Sequence, residues 1–180
     1  MIKLVLGGAR SGKSEFAEDI YKGVDDVTYI ATAKAIDKEF EGRIALHKKR
    51  RNTKWTTIEA YDNFASIDMK TKYYFLDDVT NMLTNILFDH IKERDITDED
   101  ASLVEKLVID EFAVLFKNIK EMDADLIIVS SELGAGLVPE AKLSRLFRDM
   151  HGKINQYIAK NADEVYYVIA SIGVKIKWRD

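Results

Sequence analysis

The sequence predicts an α/β fold in which a mostly parallel β-sheet is flanked by helices. Short, almost wholly apolar runs recur along the chain, as expected for strands that are covered on both faces. Longer segments with apolar residues at helical spacing separate these runs. Strands that alternate with helices favour parallel pairing, because each crossover returns the chain to the same end of the sheet.

Length and composition limit the class of protein. A chain of 180 residues has a natural size for one domain, so we expect a single domain over residues 1–180. The 27 basic and 31 acidic residues leave a net charge of -4, which gives no general electrostatic reason to bind nucleic acid or an anionic membrane. The absence of cysteine excludes disulfides, thiolate zinc sites and cysteine nucleophiles. The apolar N-terminus is too short for a signal peptide, and no run approaches the ~20 residues of a membrane span, so a cytoplasmic protein is expected.

Seven segments have the composition of strands. The last one alternates Val174, Ile176 and Trp178 with lysines, which predicts a half-exposed edge strand. We expect it to form an antiparallel hairpin with the preceding strand through Gly173. In chain order the segments are IKLVLG (2–7), VTYIAT (27–32), WTTIEA (55–60), YYFLD (73–77), DLIIVS (125–130), EVYYVIA (164–170) and GVKIKW (173–178).

Helical patterns lie between these segments. One follows the first strand, one begins near Val79, and two long apolar stripes run over residues 104–119 and 143–158. Pro139 is expected at the start of the last helix, where its missing N–H is not needed. The polar segment 92–102 predicts a mobile loop that ends with Thr97 or Asp98 as a helix cap.

The segment after the first strand fits the phosphate-loop pattern G-x-x-x-x-G-K-[ST]. An apolar strand precedes the match and a helical pattern follows it, which is the setting that the motif requires. The glycines let successive backbone N–H groups point at phosphate oxygens, and the helix adds its positive end. Lys13 then places a cation against the outer phosphates, and Ser14 offers a hydroxyl to magnesium. The predicted nucleotide-binding residues are Gly7, Gly8, Ala9, Arg10, Ser11, Gly12, Lys13 and Ser14.

Two acids follow the strand at 73–77. A phosphate loop usually works with an acid at the end of a neighbouring strand, where it orients magnesium or its waters. Either acid could instead cap the helix that begins near Val79. We assign Asp77 to the metal, because it is the first acid after the strand, and leave the cap to Asp78.

A histidine in the basic segment 37–51 is a candidate nucleophile. On a helix, Arg43 and His47 would lie one turn apart, with Lys48 and further cations just beyond. A neutral imidazole is a good nucleophile near pH 7, and the cations would attract a polyphosphate. The same pattern also suits a basic helix end with a packed or surface histidine, because cations there match the helix dipole.

The chain resembles a known family, the bifunctional adenosylcobinamide kinase / adenosylcobinamide-phosphate guanylyltransferases of cobalamin biosynthesis. The resemblance runs nearly end to end, in ordered blocks at matching spacing. The blocks are GGARSGKS (7–14), YIAT (29–32), RIxxHK (43–48), Trp55-Thr56, LxxVTNMLTNILF (76–88), ELGAGLVPE (132–140), RLFRDMHGKINQ (145–156), ADEVYYV (162–168) and GVKIK (173–177). The chain departs from the family pattern at two residue pairs, Asp77-Asp78 and Ser130-Ser131, and at Leu46.

The resemblance implies a two-step enzyme with a phosphate-loop fold of the RecA type. A nucleoside triphosphate, ATP or GTP, phosphorylates the hydroxyl of adenosylcobinamide, and the product then takes GMP from a guanylylated histidine. The family's nucleophile lies in the RIxxHK block, which corresponds to His47. Arg43 and Lys48 are then possible phosphate contacts, Mg²⁺ is the expected cofactor, and a homotrimer is the expected assembly.

Two other functions are compatible with the phosphate loop. One is a small-molecule kinase without guanylyltransferase activity, in which His47 is structural. The other is a nucleotide-binding switch or assembly ATPase, which would need a partner surface, and the sequence shows no large unexplained apolar stripe. GTP labelled at the α-phosphate distinguishes the kinase-only hypothesis from the bifunctional one, because a kinase transfers only the γ-phosphate.

Overall fold

A computed structural model describes residues 1–34, 52–92 and 94–178, whose centre is one seven-stranded sheet. The strand order is β3-β2-β4-β5-β1-β6-β7, and every neighbouring pair is parallel except β6 and β7, which are antiparallel. The sequence-based fold prediction is therefore confirmed. The strands are β1 (Ile2–Gly7), β2 (Val27–Ala31), β3 (Thr56–Glu59), β4 (Tyr73–Asp77), β5 (Asp125–Ser131), β6 (Glu164–Ile169) and β7 (Ile172–Lys177).

Four α-helices cover the sheet in the described part of the chain, and a short 3-10 helix spans Phe64–Ser66. Helix α1 packs on one face of the sheet, and the other three pack on the opposite face. Nothing among the described helices combines the length and the apolar composition that a membrane crossing needs. The helices are α1 (Lys13–Ile20), α2 (Val79–Ile91), α3 (Asp98–Glu121) and α4 (Lys142–Asn161).

The alternation of side chains along each strand divides the core between the two faces of the sheet. In β1, Leu4 packs among the residues of α2, α3 and α4, whereas the next residue, Val5, packs on the α1 side. Both side chains are fully buried. This is why the strand is apolar at consecutive positions, as the sequence indicated.

The first strand lies inside the sheet, between β5 and β6. The chain leaves β1 toward β2 on one side and reaches β6 on the other side. In sheets of this kind, a crevice opens at the carboxyl ends of the strands where the order reverses. The predicted phosphate loop, residues 7–14, begins at the last residue of β1 and lies at this position.

Three predicted element boundaries differ from the structure. Helix α4 begins at Lys142 with Ala141 as its N-cap, so Pro139 lies outside it. Helix α3 already begins at Asp98, so part of the predicted mobile loop at 92–102 is helical, and Thr97 is the cap. The hairpin turns at Ala170 and Ser171, which both have positive φ, whereas Gly173 lies within β7.

Gly173 is a glycine because of packing rather than because of a turn. A Cβ at this position would lie 2.1 Å from Cε2 of Phe16, so the Phe16 ring occupies the space of the missing side chain. The ring also contacts Tyr166, at 5.5 Å between centroids. Gly173 thereby lets α1 pack closely on the C-terminal hairpin.

Candidate active site

The predicted phosphate loop connects β1 to α1, in the strand–loop–helix setting that the motif requires. Lys13 and Ser14 are the first two residues of α1, and Gly12 is the N-cap with φ 86°. No side chain caps this end of the helix. The N-terminal backbone N–H groups of α1 are therefore suited to an anionic ligand.

The three glycines of the loop have different roles. A Cβ on Gly12 would lie 2.5 Å from Oγ of Ser171, and its positive φ is itself unfavourable for other residues. A Cβ on Gly7 would lie 2.4 Å from Oγ of Ser11 and 2.8 Å from the carbonyl oxygen of Val168. Gly8 has nothing within 4 Å of its Cβ position. The structure thus requires glycine at the two motif positions and not at Gly8.

The turn of the C-terminal hairpin packs against the phosphate loop and holds its backbone in place. The backbone N–H of Ser171 donates to the carbonyl oxygen of Ser11 at 2.7 Å, and Ser171 also packs against Gly12. The buried hydroxyl of Ser11 has no hydrogen-bond partner among the described residues. Sequence reasoning did not identify Ser171, because the contact joins the loop to a turn about 160 residues away in sequence.

The two acids after β4 have separate roles. Oδ1 of Asp78 accepts from the backbone N–H of Thr80 at 2.6 Å, so Asp78 is the N-cap of α2. Asp77 is the last residue of β4, and its Oδ2 accepts a hydrogen bond from the Tyr29 hydroxyl. The predicted capping role of Asp78 is therefore confirmed, whereas the assignment of Asp77 to the metal stays a prediction.

Thr32 holds the backbone of both acids in place. Its hydroxyl oxygen accepts from the N–H of Asp78 at 2.9 Å, and the hydroxyl lies 2.7 Å from the Asp78 carbonyl oxygen and 3.1 Å from that of Asp77. The Asn85 amide donates to the carbonyl oxygen of Thr32 at 2.7 Å and so ties α2 to the end of β2. Thr32 and Asn85 are both buried. The YIAT block thus supplies two groups, from Tyr29 and Thr32, that position Asp77.

Electrostatics connect the capping acid to the phosphate loop. Burial and the neighbouring Asp77 carboxylate raise the pKa of Asp78 to about 6, and the Lys13 ammonium opposes that rise. The opposing effect means that the Lys13 charge lies close enough to favour the ionised form of Asp78. The Asp77-Asp78 pair and Lys13 therefore form one charged group at the carboxyl edge of the sheet.

A buried hydrogen-bond relay connects β5, α4 and α2 beside this group. The Ser130 hydroxyl donates to Oδ1 of Asn155 at 2.7 Å, and the Asn155 amide donates to the carbonyl oxygen of Ser131 at 3.0 Å. The same amide lies 3.2 Å from Nδ1 of His151, and Nε2 of His151 lies 3.1 Å from Oγ1 of Thr80. We call these four side chains, Ser130, Asn155, His151 and Thr80, the buried relay.

The hydrogen bonds of the relay fix the tautomer of His151, and burial of the ring keeps it neutral. Because the Asn155 amide nitrogen can only donate, Nδ1 of His151 must accept, and the ring proton lies on Nε2 and points at Thr80. Burial lowers the pKa of His151 to about 4, and the Lys13 charge adds to the effect. His151 is therefore a neutral hydrogen-bond donor near pH 7 that holds the Thr80 hydroxyl beside the capping acid.

The oxygen donors at this edge fit a magnesium ion. Mg²⁺ prefers hard oxygen ligands and commonly takes one or two from the protein and the others from phosphates and water. Ser14, at the start of α1, and Asp77, at the end of β4, supply a hydroxyl and a carboxylate of this kind. Among the described residues no cluster of three or more His, Cys, Asp or Glu side chains could hold a metal by itself. Ser14 and Asp77 thus match the one or two protein ligands that a nucleotide-bound Mg²⁺ takes.

The remaining predicted site residues, His47, Arg43 and Lys48, lie outside the described residues. Sequence reasoning also missed several residues that the structure places at the site. Tyr29 and Thr32 carried a usable signal, since polar groups near the end of a strand beside Asp77 lie at the same sheet edge. Thr80, His151 and Asn155 lie in blocks that resemble the family, but their local sequence did not indicate a shared hydrogen-bond network, because only tertiary packing brings α2 and α4 together.

Comparison with known proteins identifies the family. The sequence model of the cobinamide kinase / cobinamide phosphate guanyltransferase family matches residues 3–176. A solved structure of a Pyrococcus horikoshii OT3 protein has a TM-score of 0.51 at 9% identity, over 99% of this chain and 87% of that chain. At that identity the similarity supports the α/β fold alone.

Three curated relatives match almost the whole chain. The bifunctional adenosylcobalamin biosynthesis protein CobU of Escherichia coli is 39% identical over 181 residues, and that of Salmonella typhimurium is 40% identical over 181 residues. Each match covers 98% of this chain and 100% of the relative. The corresponding protein CobP of Pseudomonas aeruginosa is 35% identical over 183 residues, which is 98% of both chains. The chain belongs to the family of bifunctional cobinamide kinases and cobinamide phosphate guanylyltransferases of cobalamin biosynthesis.

Proposed function

We propose that one domain, residues 1–180, carries out both activities of this family on a single nucleotide cradle. The observation that supports this proposal is the arrangement of the Gly7–Ser14 loop. The loop follows β1 and Asp77 ends β4, so both lie at the carboxyl edge of the sheet with only β5 between the two strands. The Lys13 charge also acts on the pKa of Asp78 and of His151. One cradle that holds the outer phosphates of a nucleoside triphosphate serves either reaction, because negative charge moves onto those phosphates in both, although the nucleophile and the phosphorus that it attacks differ.

In the kinase reaction, the hydroxyl of adenosylcobinamide attacks the γ-phosphorus of ATP or GTP, and the nucleoside diphosphate leaves. The backbone N–H groups of the loop and the Lys13 ammonium hold the phosphates and balance the charge that moves toward the leaving group. Ser14 and Asp77 are the residues that would hold Mg²⁺. When bound there, the ion supplies further positive charge to the phosphate oxygens.

In the guanylyltransferase reaction, a nitrogen of the His47 imidazole attacks the α-phosphorus of GTP. The bond to the β-phosphate breaks, and pyrophosphate leaves while Lys13 and the loop amides hold its oxygens. Arg43 and Lys48 lie in the same sequence block and neutralise the phosphates of the bound nucleotide. The product is GMP joined to His47 through a phosphorus–nitrogen bond.

The second displacement transfers GMP from His47 to the acceptor and returns the enzyme to its free state. A phosphate oxygen of adenosylcobinamide phosphate attacks the phosphorus on His47, and the phosphorus–nitrogen bond breaks. Protonation of the imidazole makes it a good leaving group, so two moderate displacements replace one difficult one. The products are adenosylcobinamide-GDP and the free histidine.

We also propose that the chain assembles as a homotrimer through its C-terminal hairpin. The outward side chains of the hairpin are apolar, with exposed fractions of 68% for Ile172, 51% for Val174, 53% for Ile176 and 61% for Trp178. We call these four side chains the β7 apolar row. The sequence predicted β7 as an edge strand but missed the extent of this row. An exposed apolar row of this kind favours contact with a second protein surface.

Retention of label from α-labelled GTP tests the proposed role of His47. After incubation with magnesium and denaturation, the unaltered protein is expected to retain acid-labile label, and His47→Ala is expected to retain none. His90→Asn is the matched control, since His90 pairs with Asp100 and not with the phosphate loop. If His47→Ala keeps the label, the proposed mechanism is wrong. If the unaltered protein retains none while it still phosphorylates cobinamide, His47 is structural.

A further inference from the structure

The established activities require a second substrate, cobinamide, to reach the nucleotide at the carboxyl edge of the sheet. The segment after β5 borders the phosphate loop there, because the backbone N–H of Glu132 donates to the carbonyl oxygen of Gly7 at 3.0 Å. Ser131 and Gly7 are also register partners in the sheet. A substrate that contacts the start of the 132–141 segment therefore lies next to the cradle, on the side of β5.

Two clefts meet along this segment. The first has a volume of about 500 Å³, and Glu132, Gln156 and the histidine of the buried relay contribute to its wall. The second has a volume of about 400 Å³ and is mostly apolar, with Phe88, Pro139 and Phe147 in its wall. Leu133 and Arg148 line both clefts. We call the two together the double cleft.

Two exposed apolar side chains, Leu137 and Val138, form a tip of the 132–141 segment beside the double cleft. Leu137 is 96% exposed and Val138 is 68% exposed. Arg148 donates to the carbonyl oxygen of Leu137 at 3.1 Å, and Arg145 donates to that of Pro139 at 3.1 Å. Both arginines belong to α4, so the helix holds the backbone of the tip while its two apolar side chains remain in water. Such a tip is suited to cover an apolar ligand surface.

The charge of the first cleft disfavours a nucleotide. Four carboxylates line it, against two cations, Arg148 and Lys153. A polyphosphate would be repelled by this balance. Adenosylcobinamide has no phosphate, carries the positive charge of its cobalt centre, and bears amide groups around a broad macrocycle. The carboxylates are Asp98, Glu105, Glu132 and Asp149.

We propose that the double cleft is the acceptor site, where the corrin of cobinamide lies against Leu133, Phe147 and the Leu137-Val138 tip. Its amide groups then meet the polar wall of the first cleft, and its hydroxyl arm extends past His151 toward Lys13. The macrocycle stays partly exposed to solvent, because it is too broad to fit into either cleft alone. This inference rests on the proposed function and adds to it the location of the second substrate.

Leu137→Asp tests the inference with little risk to folding, because the side chain is exposed. Loss of the apolar contact and desolvation of the new charge are expected to raise the KM for adenosylcobinamide in the kinase assay by at least about tenfold. Phe88→Ala is the second variant and removes a wall of the apolar cleft. Both variants should leave unchanged the KM for the nucleotide, measured at saturating adenosylcobinamide, and the retention of α-label. The nucleotide binds at the phosphate loop, and the label is captured without an acceptor.

Met122→Ser is the matched control, since Met122 is an exposed apolar residue at the far end of α3. It should leave the KM for adenosylcobinamide unchanged. The inference is overturned if Leu137→Asp and Phe88→Ala both keep that KM within about twofold of the unaltered protein, or if they raise the nucleotide KM equally. Failure of α-label retention in the unaltered protein would instead contradict the proposed role of His47, so the two failures are distinguishable.

Discussion

At the scale of single residues, Gly12 and Gly8 offer the cleanest contrast in the phosphate loop. Gly12→Ala places a Cβ against Ser171 in a backbone conformation with φ 86°, whereas Gly8→Ala meets open space. We expect Gly12→Ala to lower the free energy of unfolding by roughly 2 kcal/mol or more, and Gly8→Ala to change it by less than about 1 kcal/mol. Urea denaturation measures both values. Equal losses in the two variants would contradict the described packing of the loop on the hairpin.

His151 predicts a pH dependence of stability. Its pKa in the folded protein is lowered to about 4 from an ordinary value of 6.5, so the unfolded chain binds its proton more tightly. The contribution is therefore fully present above pH 6.5 and is lost as the pH falls toward 4, by at most about 1.4 kcal/mol per pH unit. In His151→Gln this contribution is absent. The difference in unfolding free energy between the two proteins should then shrink or reverse across that range, as denaturation at several pH values would show.

Asp78 provides a control, because its titration changes the free energy of unfolding in the opposite direction over nearly the same pH range. Its pKa is raised to about 6, so the folded state binds its proton more tightly and loses stability as the pH rises from about 4 to 6. Asp78→Asn keeps a side chain that can cap α2 and removes the charge. Its stability relative to the unaltered protein should increase over that range. A flat difference in both variants would mean that neither group titrates as described.

At the scale of elements, the start of α3 depends on a capping box. Oγ1 of Thr97 accepts from the N–H of Asp100 at 3.1 Å, and Oδ2 of Asp100 accepts from the N–H of Thr97 at 3.0 Å. Thr97→Ala is expected to cost about 1 kcal/mol of unfolding free energy. Ser102→Ala is the control within the same helix, and it should cost clearly less because Ser102 only bonds the carbonyl oxygen of Asp98. Thermal or urea denaturation decides between them.

The sequence predicts elements well where periodicity and local chemistry agree. The seven strands, the strand–loop–helix setting of the phosphate loop and the helix cap at Asp78 depend on short-range patterns. Predicted element boundaries were wrong where a residue type such as glycine or proline is compatible with more than one local structure. Gly173 fits a turn, but the Phe16 ring explains it, and Pro139 fits a helix start, but it precedes α4 by three residues. The buried relay could not be predicted, since its members come from three distant elements.

At the scale of the whole molecule, the β7 apolar row predicts an assembly that a pair of charges can break. Val174→Lys combined with Ile176→Lys places two cations in the row, and burial of these cations in an interface would be costly. Light scattering is expected to give the mass of a trimer for the unaltered protein and that of a monomer for the double variant. Leu103→Lys, on the exposed side of α3, should remain trimeric. A monomeric unaltered protein, or a trimeric double variant, would rule out this interface.

If one phosphate loop serves both reactions, each reaction depends on Lys13, and Lys13→Ala should impair them together. The measurement follows γ-label transfer to adenosylcobinamide and retention of α-label from GTP by the protein, for Lys13→Ala and His47→Ala side by side. Lys13→Ala is expected to lose both signals, whereas His47→Ala is expected to lose only the retained α-label and still to phosphorylate cobinamide. A folded Lys13→Ala protein that still captures GMP would contradict the shared cradle.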